Sequence, residues 1–169
     1  AAEHKLSIQM AARELRYNWF KSLKAERGFD YILTAHHAND NIETVLMNFF
    51  KGTGIAGLQG IQPKSGEGNQ LIRPLLFAKK EELLQYAAEN ELSFREDSSN
   101  SSDKYTRNYF RNKLIPSLQE VYPKVEDNIL GNIGRFREFN SLYQLSVNNL
   151  QKKLLVTKGN EIHIPVVKL

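Results

Sequence analysis

Cysteine is absent from this sequence. That excludes disulfides and thiolate-bound metal centres among these residues, and it fits a cytoplasmic protein. No run approaches the about 20 consecutive apolar residues that a membrane-spanning helix needs, so no membrane partner is expected. The chain opens at Ala1 without an initiator Met, an apolar leader or an Arg-rich presequence, so there is no targeting segment to read. No internal repeat is visible, and the H-E-x-x-H spacing of a zinc site is missing. What is present is ordinary for a globular protein: 41% hydrophobic and 25% charged residues in a chain of 169. That length suits one domain, or one domain and part of another. The formal net charge of +4 and the pI of about 9.2 permit a nucleic-acid partner through phosphate neutralisation but do not require one.

Apolar periodicity predicts a helix over 7–25, with Ile8, Ala12, Leu15, Trp19 and Leu23 on one face and Gly28 ending it. Tyr31-Ile32-Leu33-Thr34 reads as a short buried strand. The helical period returns over 39–51 with Ile42, Val45, Leu46, Phe49 and Phe50, and Gly52 is placed to stop it. Residues 52–70 are Gly-rich and irregular, Leu71-Ile72 is a second short strand before Pro74, and 79–90 is another helix. The polar loop 95–104 is taken as a domain boundary, giving domains 1–103 and 104–169. Beyond it, 104–114 and 125–153 look helical, with interruptions around Pro116 and Pro123. The second of these has Ile129, Ile133, Phe136, Tyr143, Val147 and Leu150 in near-heptad spacing. Lys158-Gly159-Asn160 is a turn, and the closing EIHIPVVKL alternates like a strand with nothing to pair with. The order helix, strand, helix, strand, helix argues for an α/β fold with a parallel sheet, in which ligands bind beyond the carboxyl ends of the strands.

His36 and His37 directly follow the strand at 31–34, which puts them at that end. With Asp40 and Glu43 they place four polar, reactive side chains within eight positions. Asp40-x-x-Glu43 has capping-box spacing, with Asp40 accepting from a backbone N–H and Glu43 reaching back. The same two carboxylates would also face a ligand crevice, where they suit an ammonium group or Mg²⁺. Two adjacent imidazoles cannot both enter the core. One is accounted for structurally, and the other is a candidate base, hydrogen-bond donor or metal ligand.

GTGIAG (52–57) matches G-x-G-x-x-G, but it follows a helix, whereas the dinucleotide fingerprint follows a strand. The glycines are read as backbone freedom in a loop. Arg13 and Arg16 lie on the first helix, with Arg16 beside the apolar stripe and Arg13 on the solvated face. KYTRNYFRNK (104–113) holds Lys104, Arg107, Arg111 and Lys113 and no acid, with Tyr105, Tyr109 and Phe110 interleaved. It is either an amphipathic helix or a face for phosphate.

AARELRYNWF, TAHHANDNIET, FFKGTGIAGLQGI, IRPLL and REDSSNSSDKYTRNYFRNKLIPSL occur in this order from about Ala11 to Leu118. Together they resemble the successive signatures of the tRNA(Ile)-lysidine synthetases, PP-loop ATPases of bacteria. TAHHxxDxxET points to the wider PP-loop group, and KGTGIAGLQGI with YTRNYFR narrows it. The resemblance implies a doubly wound parallel-sheet domain of the adenine nucleotide α-hydrolase type followed by a mainly helical segment. It implies a reaction in which the wobble cytidine of isoleucine tRNA is adenylated by ATP, with Mg²⁺, and free L-lysine then displaces AMP to give lysidine. Arg16, His36, Asp40, Glu43 and Arg107 match positions expected to line such an active site. Asn108 and Arg111 match positions expected either to orient the site or to contact tRNA phosphate, and with Lys113 they are the candidates for binding tRNA(Ile) with its CAU anticodon. Which residues would hold a metal is open, and a homodimer is compatible. The family's S-G-G-x-D-S phosphate loop does not occur in this sequence. The chain is therefore expected to start after that loop and to stop before the C-terminal tRNA-binding portion, and to be inactive alone. The alternatives are a non-catalytic RNA-binding module, or another PP-loop tRNA modifier such as a 2-thiocytidine-forming enzyme, whose sulfur chemistry would call for cysteine.

Overall fold

The computed structural model describes residues 8–66, 68, 70–95 and 106–166. The elements, in chain order, are α1 (Ile8–Arg27), β1 (Ile32–Leu33), α2 (Ala38–Lys51), α3 (Ile55–Leu58), β2 (Lys64–Ser65), β3 (Leu71–Ile72) and α4 (Lys80–Glu89). They continue with α5 (Thr106–Tyr109), a π-helical turn (Phe110–Leu114), α6 (Ile115–Val121), α7 (Val125–Leu154), β4 (Val156–Lys158) and β5 (Glu161–His163). They fall into two compact units, Ala1–Asp40 with Gln62–Ser93, and Asn41–Ile61 with Phe94–Leu169. The division lies inside α2, after Asp40. The polar loop read as a domain boundary lies almost wholly outside the described residues.

The first unit is built on a three-stranded sheet of order β1-β3-β2. β1 and β3 are parallel, with Ile32 opposite Leu71 and Leu33 opposite Ile72, and β2 is antiparallel to β3. The parallel pair with its helices is the α/β arrangement the sequence predicts. α1 packs on β1 through only part of the expected face, at Leu23, with Phe20 added from beside it. Phe20 and Leu23 are partly covered, whereas Leu15 and Trp19 are 71% and 60% exposed. α1 carries apolar residues around most of its circumference, so periodicity alone does not choose the packed side. Beyond the carboxyl ends of the parallel strands the two following loops are stitched together. Thr34 N–H donates to Ile72 O at 3.0 Å, and Ala38 N–H to Ala78 O at 2.8 Å. Asn39 Oδ1 accepts from the Lys80 N–H at 2.8 Å, satisfying a donor at the start of α4. Arg73, buried just after β3, donates to Gln62 O at 2.7 Å and Ser65 Oγ at 3.0 Å and holds the turn into β2.

The second unit is helical apart from a hairpin. Two expectations are corrected here. The chain stays helical through Pro116, because that proline occupies the first turn of α6, where a missing N–H costs little. The terminal strand has a partner: β5 pairs antiparallel with β4, Thr157 opposite Ile162. The β4 residues follow a helix of 30 residues directly, which hides them from a periodicity reading. Ile42, Val45, Phe110, Ile115 and Ile133 form the buried apolar positions of this unit. Phe49 and Phe50, expected inside, are 62% and 64% exposed, and Phe50 meets Phe110 edge-on at 5.9 Å. α7 buries its first half at Ile133, whereas Tyr143 and Leu150 are each 56% exposed.

The Gly-rich loop after α2 is fixed by polar side chains. Asn41 Oδ1 accepts from the Ile61 N–H at 2.6 Å, and Asn48 Nδ2 donates to Gly57 O at 2.9 Å. Arg137 on α7 donates to Gln59 O at 3.1 Å and Ile61 O at 2.8 Å. Gly60 has φ +65°, and a Cβ there would fall on Asn41 Oδ1. Gly60→Ala is therefore expected to cost about 1–3 kcal/mol, from the left-handed backbone and the displaced Asn41 bond. A urea melt of the variant checks this, and a midpoint equal to wild type would refute the close approach.

Candidate active site

α2 begins at Ala38, so the residue before the helix is His37, not Asp40. Asp40 sits one turn in and reaches back, Oδ2 accepting from the His37 backbone N–H at 3.0 Å. The capping geometry is thus real but shifted by three residues from the one expected. Asp40 takes the reach-back role, and Glu43 takes no part in it. The imidazole of His37 lies over the same carboxylate, Nε2 to Oδ2 at 3.5 Å, with both side chains largely covered. His37 Nδ1 is buried and has no hydrogen-bond partner among the described residues. His36 turns the other way, its Nδ1 2.9 Å from Thr34 Oγ1. This cluster stands in the first unit, immediately after β1 and beside the loop that follows β3. Backbone N–H groups of a helix start, a carboxylate and two imidazoles make it a polar cluster whose groups are of the kinds that hold a charged ligand and move a proton. Arg16 belongs to the same unit, exposed on α1.

In the second unit, Glu43 has 0% exposed surface. Its Oε1 accepts from Arg111 Nε at 2.6 Å. Its Oε2 accepts from Arg107 Nε at 2.7 Å and from Arg111 Nη2 at 3.1 Å. Arg107 Nη2 also donates to Thr44 Oγ1 at 3.1 Å. Three of the predicted residues, Glu43, Arg107 and Arg111, are thereby one contact, across 64 and 68 positions of chain. The local reason is their spacing, four residues or about one helical turn, with Arg107 just before a π turn and Arg111 inside it. The Ile115 N–H bonds to Phe110 O, five residues back, which widens the helix where Phe110 enters the core. Asn108 and Lys113 lie on the same helical stretch, half-buried and exposed respectively.

Three polar anchors had not been singled out from the sequence: Asn41, Arg73 and Arg137. Burial pushes the Arg137 guanidinium below its ordinary value by desolvation, yet a guanidinium stays charged at any physiological pH. The signal was present in spacing. Arg137 follows Ile133 by four, and Asn41 precedes Val45 by four, so each shares a face with a buried residue.

Residues 1–118 match the family model of the PP-loop domain. The chain is 39% identical over 162 residues to the tRNA(Ile)-lysidine synthase of Bacteroides thetaiotaomicron, covering 96% of this chain and 37% of that protein. It is 38% identical over 162 residues to the enzyme of the same name from Bacillus subtilis, covering 95% and 34%. The chain thus spans little more than a third of the length of these curated relatives. Among solved structures it resembles the U34-tRNA thiolase NcsA of Methanococcus maripaludis with its 4Fe-4S cluster. The TM-score is 0.61 at 19% identity, over 79% of this chain and 45% of that one, a likeness of fold.

The buried contact sets a stability expectation. Glu43→Ala leaves two guanidiniums without their shared anion. The loss is about 2–4 kcal/mol, below the full cost of an uncompensated buried charge because Arg107 and Arg111 keep 37% and 25% of their side-chain surface. Equilibrium urea denaturation measures it, and a loss under about 0.5 kcal/mol would show that the cluster does not hold the unit together.

Proposed function

This chain belongs to the PP-loop domain family, and from that premise we propose that the whole protein is a tRNA(Ile)-lysidine synthase acting in the cytoplasm. The observation that carries the proposal is identity to proteins of that one name along nearly the whole of this chain. ATP use goes with PP-loop membership. The substrates proposed with it are free L-lysine and the isoleucine tRNA with a CAU anticodon. The C2 oxygen of the wobble cytidine attacks the α-phosphate of ATP and pyrophosphate leaves; the lysine ε-amine then attacks C2, loses its proton and expels AMP. Among the described residues no three carboxylate or imidazole groups converge on one point. Mg²⁺ enters the proposal with ATP, as a hard cation that would screen the charge of the nucleotide phosphates.

The chemistry demands three things of the protein, and this chain has side chains suited to each. A cationic amino acid needs a carboxylate, for which Asp40 is proposed, held at the start of α2 by the His37 N–H. An ammonium that is to attack must lose a proton, and His36 or His37 stands next to that carboxylate in sequence to take it. Charge building on phosphate needs fixed cations, for which Arg16 in the first unit and Arg107 in the second are proposed. Asn108 and Lys113 are proposed to face RNA.

The full-length protein is expected to convert an unmodified isoleucine tRNA transcript to the lysidine form, with one AMP released per lysine incorporated. Nucleoside digestion and mass spectrometry measure the product. Asp40→Asn is expected to raise the lysine KM about 10- to 100-fold, the worth of a hydrogen bond to a charged group, with the ATP KM little changed. Tight tRNA binding without any AMP or lysidine would replace this reading with that of an RNA-binding module.

A further inference from the structure

The geometry points to Glu43 as a positioning residue that acts through Arg107 and Arg111 and does not itself receive lysine. The inference rests on the lysidine-synthase reading above, and it assigns the two carboxylates of the TAHHANDNIET stretch different work.

Four observations carry it. The Glu43 side chain has no exposed surface, so an incoming amine has no path to it without parting the contact. Both carboxylate oxygens are already engaged by three charge-assisted donors at 2.6–3.1 Å. Arg111 grips them side-on through Nε and Nη2. An ammonium reaching the same oxygens would come close to two guanidiniums, where like charges repel strongly in a covered site. Arg107 is fixed at two points, Nε on Glu43 and Nη2 on Thr44, which sets the plane of its guanidinium as well as its place. Glu43 and Thr44 are consecutive on α2, so one turn of a buried helix dictates the orientation of a cation 63 and 64 positions later.

A cation that stabilises charge building on phosphate works best when it needs no rearrangement at the moment of reaction. Glu43 supplies that preorganisation. Arg111 completes it on the same carboxylate, about one helical turn after Arg107. Asp40, which accepts from the His37 backbone N–H at the helix start, keeps the part of lysine ligand in this reading.

The test is steady-state kinetics of the full-length enzyme with lysine, ATP and tRNA varied separately. Glu43→Gln keeps the shape and removes the charge. It is expected to lower kcat about 10²- to 10³-fold, as losing a preorganised donor does, and to leave the lysine KM within about twofold of wild type. Asp40→Asn should do the reverse. Combined with Arg107→Gln, Glu43→Gln should add less than about threefold to the larger single loss, because the two act as one unit. A lysine KM raised tenfold or more by Glu43→Gln, or losses that multiply in the double variant, would overturn the inference. Should Glu43→Gln not fold, Arg111→Lys probes the same contact, since it keeps the charge and loses the fork. It is expected to lower kcat at an unchanged salt dependence of tRNA binding. In Arg111→Gln, which removes the charge, a salt slope reduced by about one unit would make Arg111 a phosphate contact and sink the positioning role. If wild type forms no lysidine, the reading of the reaction falls. Proton exchange at the arginine Nε–Hε groups, read by NMR with labelled arginine, then still decides the positioning. Slow exchange at Arg107 and Arg111 that Glu43→Gln makes fast upholds it, and equal rates overturn it.

Discussion

A carboxylate with no exposed surface stays ionised only if the protein supplies what water no longer does. Glu43 is in that position, and two guanidiniums meet it. The cost of stripping water from three charged groups is large, and their attraction offsets it only when the geometry is good and the lone pairs are occupied. Both conditions hold here. Three donors share two oxygens, and the hydroxyl of Thr44 takes a further one. Stretches of chain far apart in sequence are committed to each other by this contact. Ile42 and Val45 are buried around it on α2, and Phe110 and Ile115 on the later helices.

α2 divides its circumference among several tasks. Asn41 and Asn48 hold the loop that follows the helix by hydrogen bonds to its backbone. Glu43 and Thr44 hold the arginines. Asp40, in the first turn, closes back on His37. An α-helix advances about 100° per residue, so neighbouring positions in one short stretch serve different surroundings. That is why the stretch reads as unusually polar for a helix whose other faces are buried.

Most elements before residue 90 were legible because short strands bounded by Gly and Pro, and helices with regular apolar spacing, leave local marks; β2, at Lys64–Ser65, fell in a stretch read as irregular. α1, β1, α2, β3 and α4 lie within a residue or two of where periodicity puts them. What failed was what is not local. The Asp40-x-x-Glu43 spacing suits a capping box, yet helix starts are set by backbone geometry, and α2 starts two residues before Asp40. Nothing within α2 announces that Glu43 has partners 64 and 68 positions away. The acid-free run from 104 to 113 was readable as a face seeking anions. It was not readable that one of those anions is a glutamate of the same chain. Arg107 and Arg111 were recognised as important by motif, and their shared partner came only from the fold.

The π turn at Phe110–Leu114 fixes more than a direction. A helix that closes one hydrogen bond over five residues holds one residue more than an α-helix of the same course. Losing that residue would rotate everything beyond it by about 100° relative to everything before it. Arg107 and Arg111 would then no longer address the same carboxylate while Ile115 still faced the core. Here the chain specifies a length as strictly as it specifies side chains. A substitution at an exposed position such as Lys113 changes one side chain, but a single-codon deletion or insertion would be a change of register, felt at once by the ion cluster and by the packing. Descendants of such a gene are bound to keep the count of residues here as well as the side chains that meet Glu43 and the core.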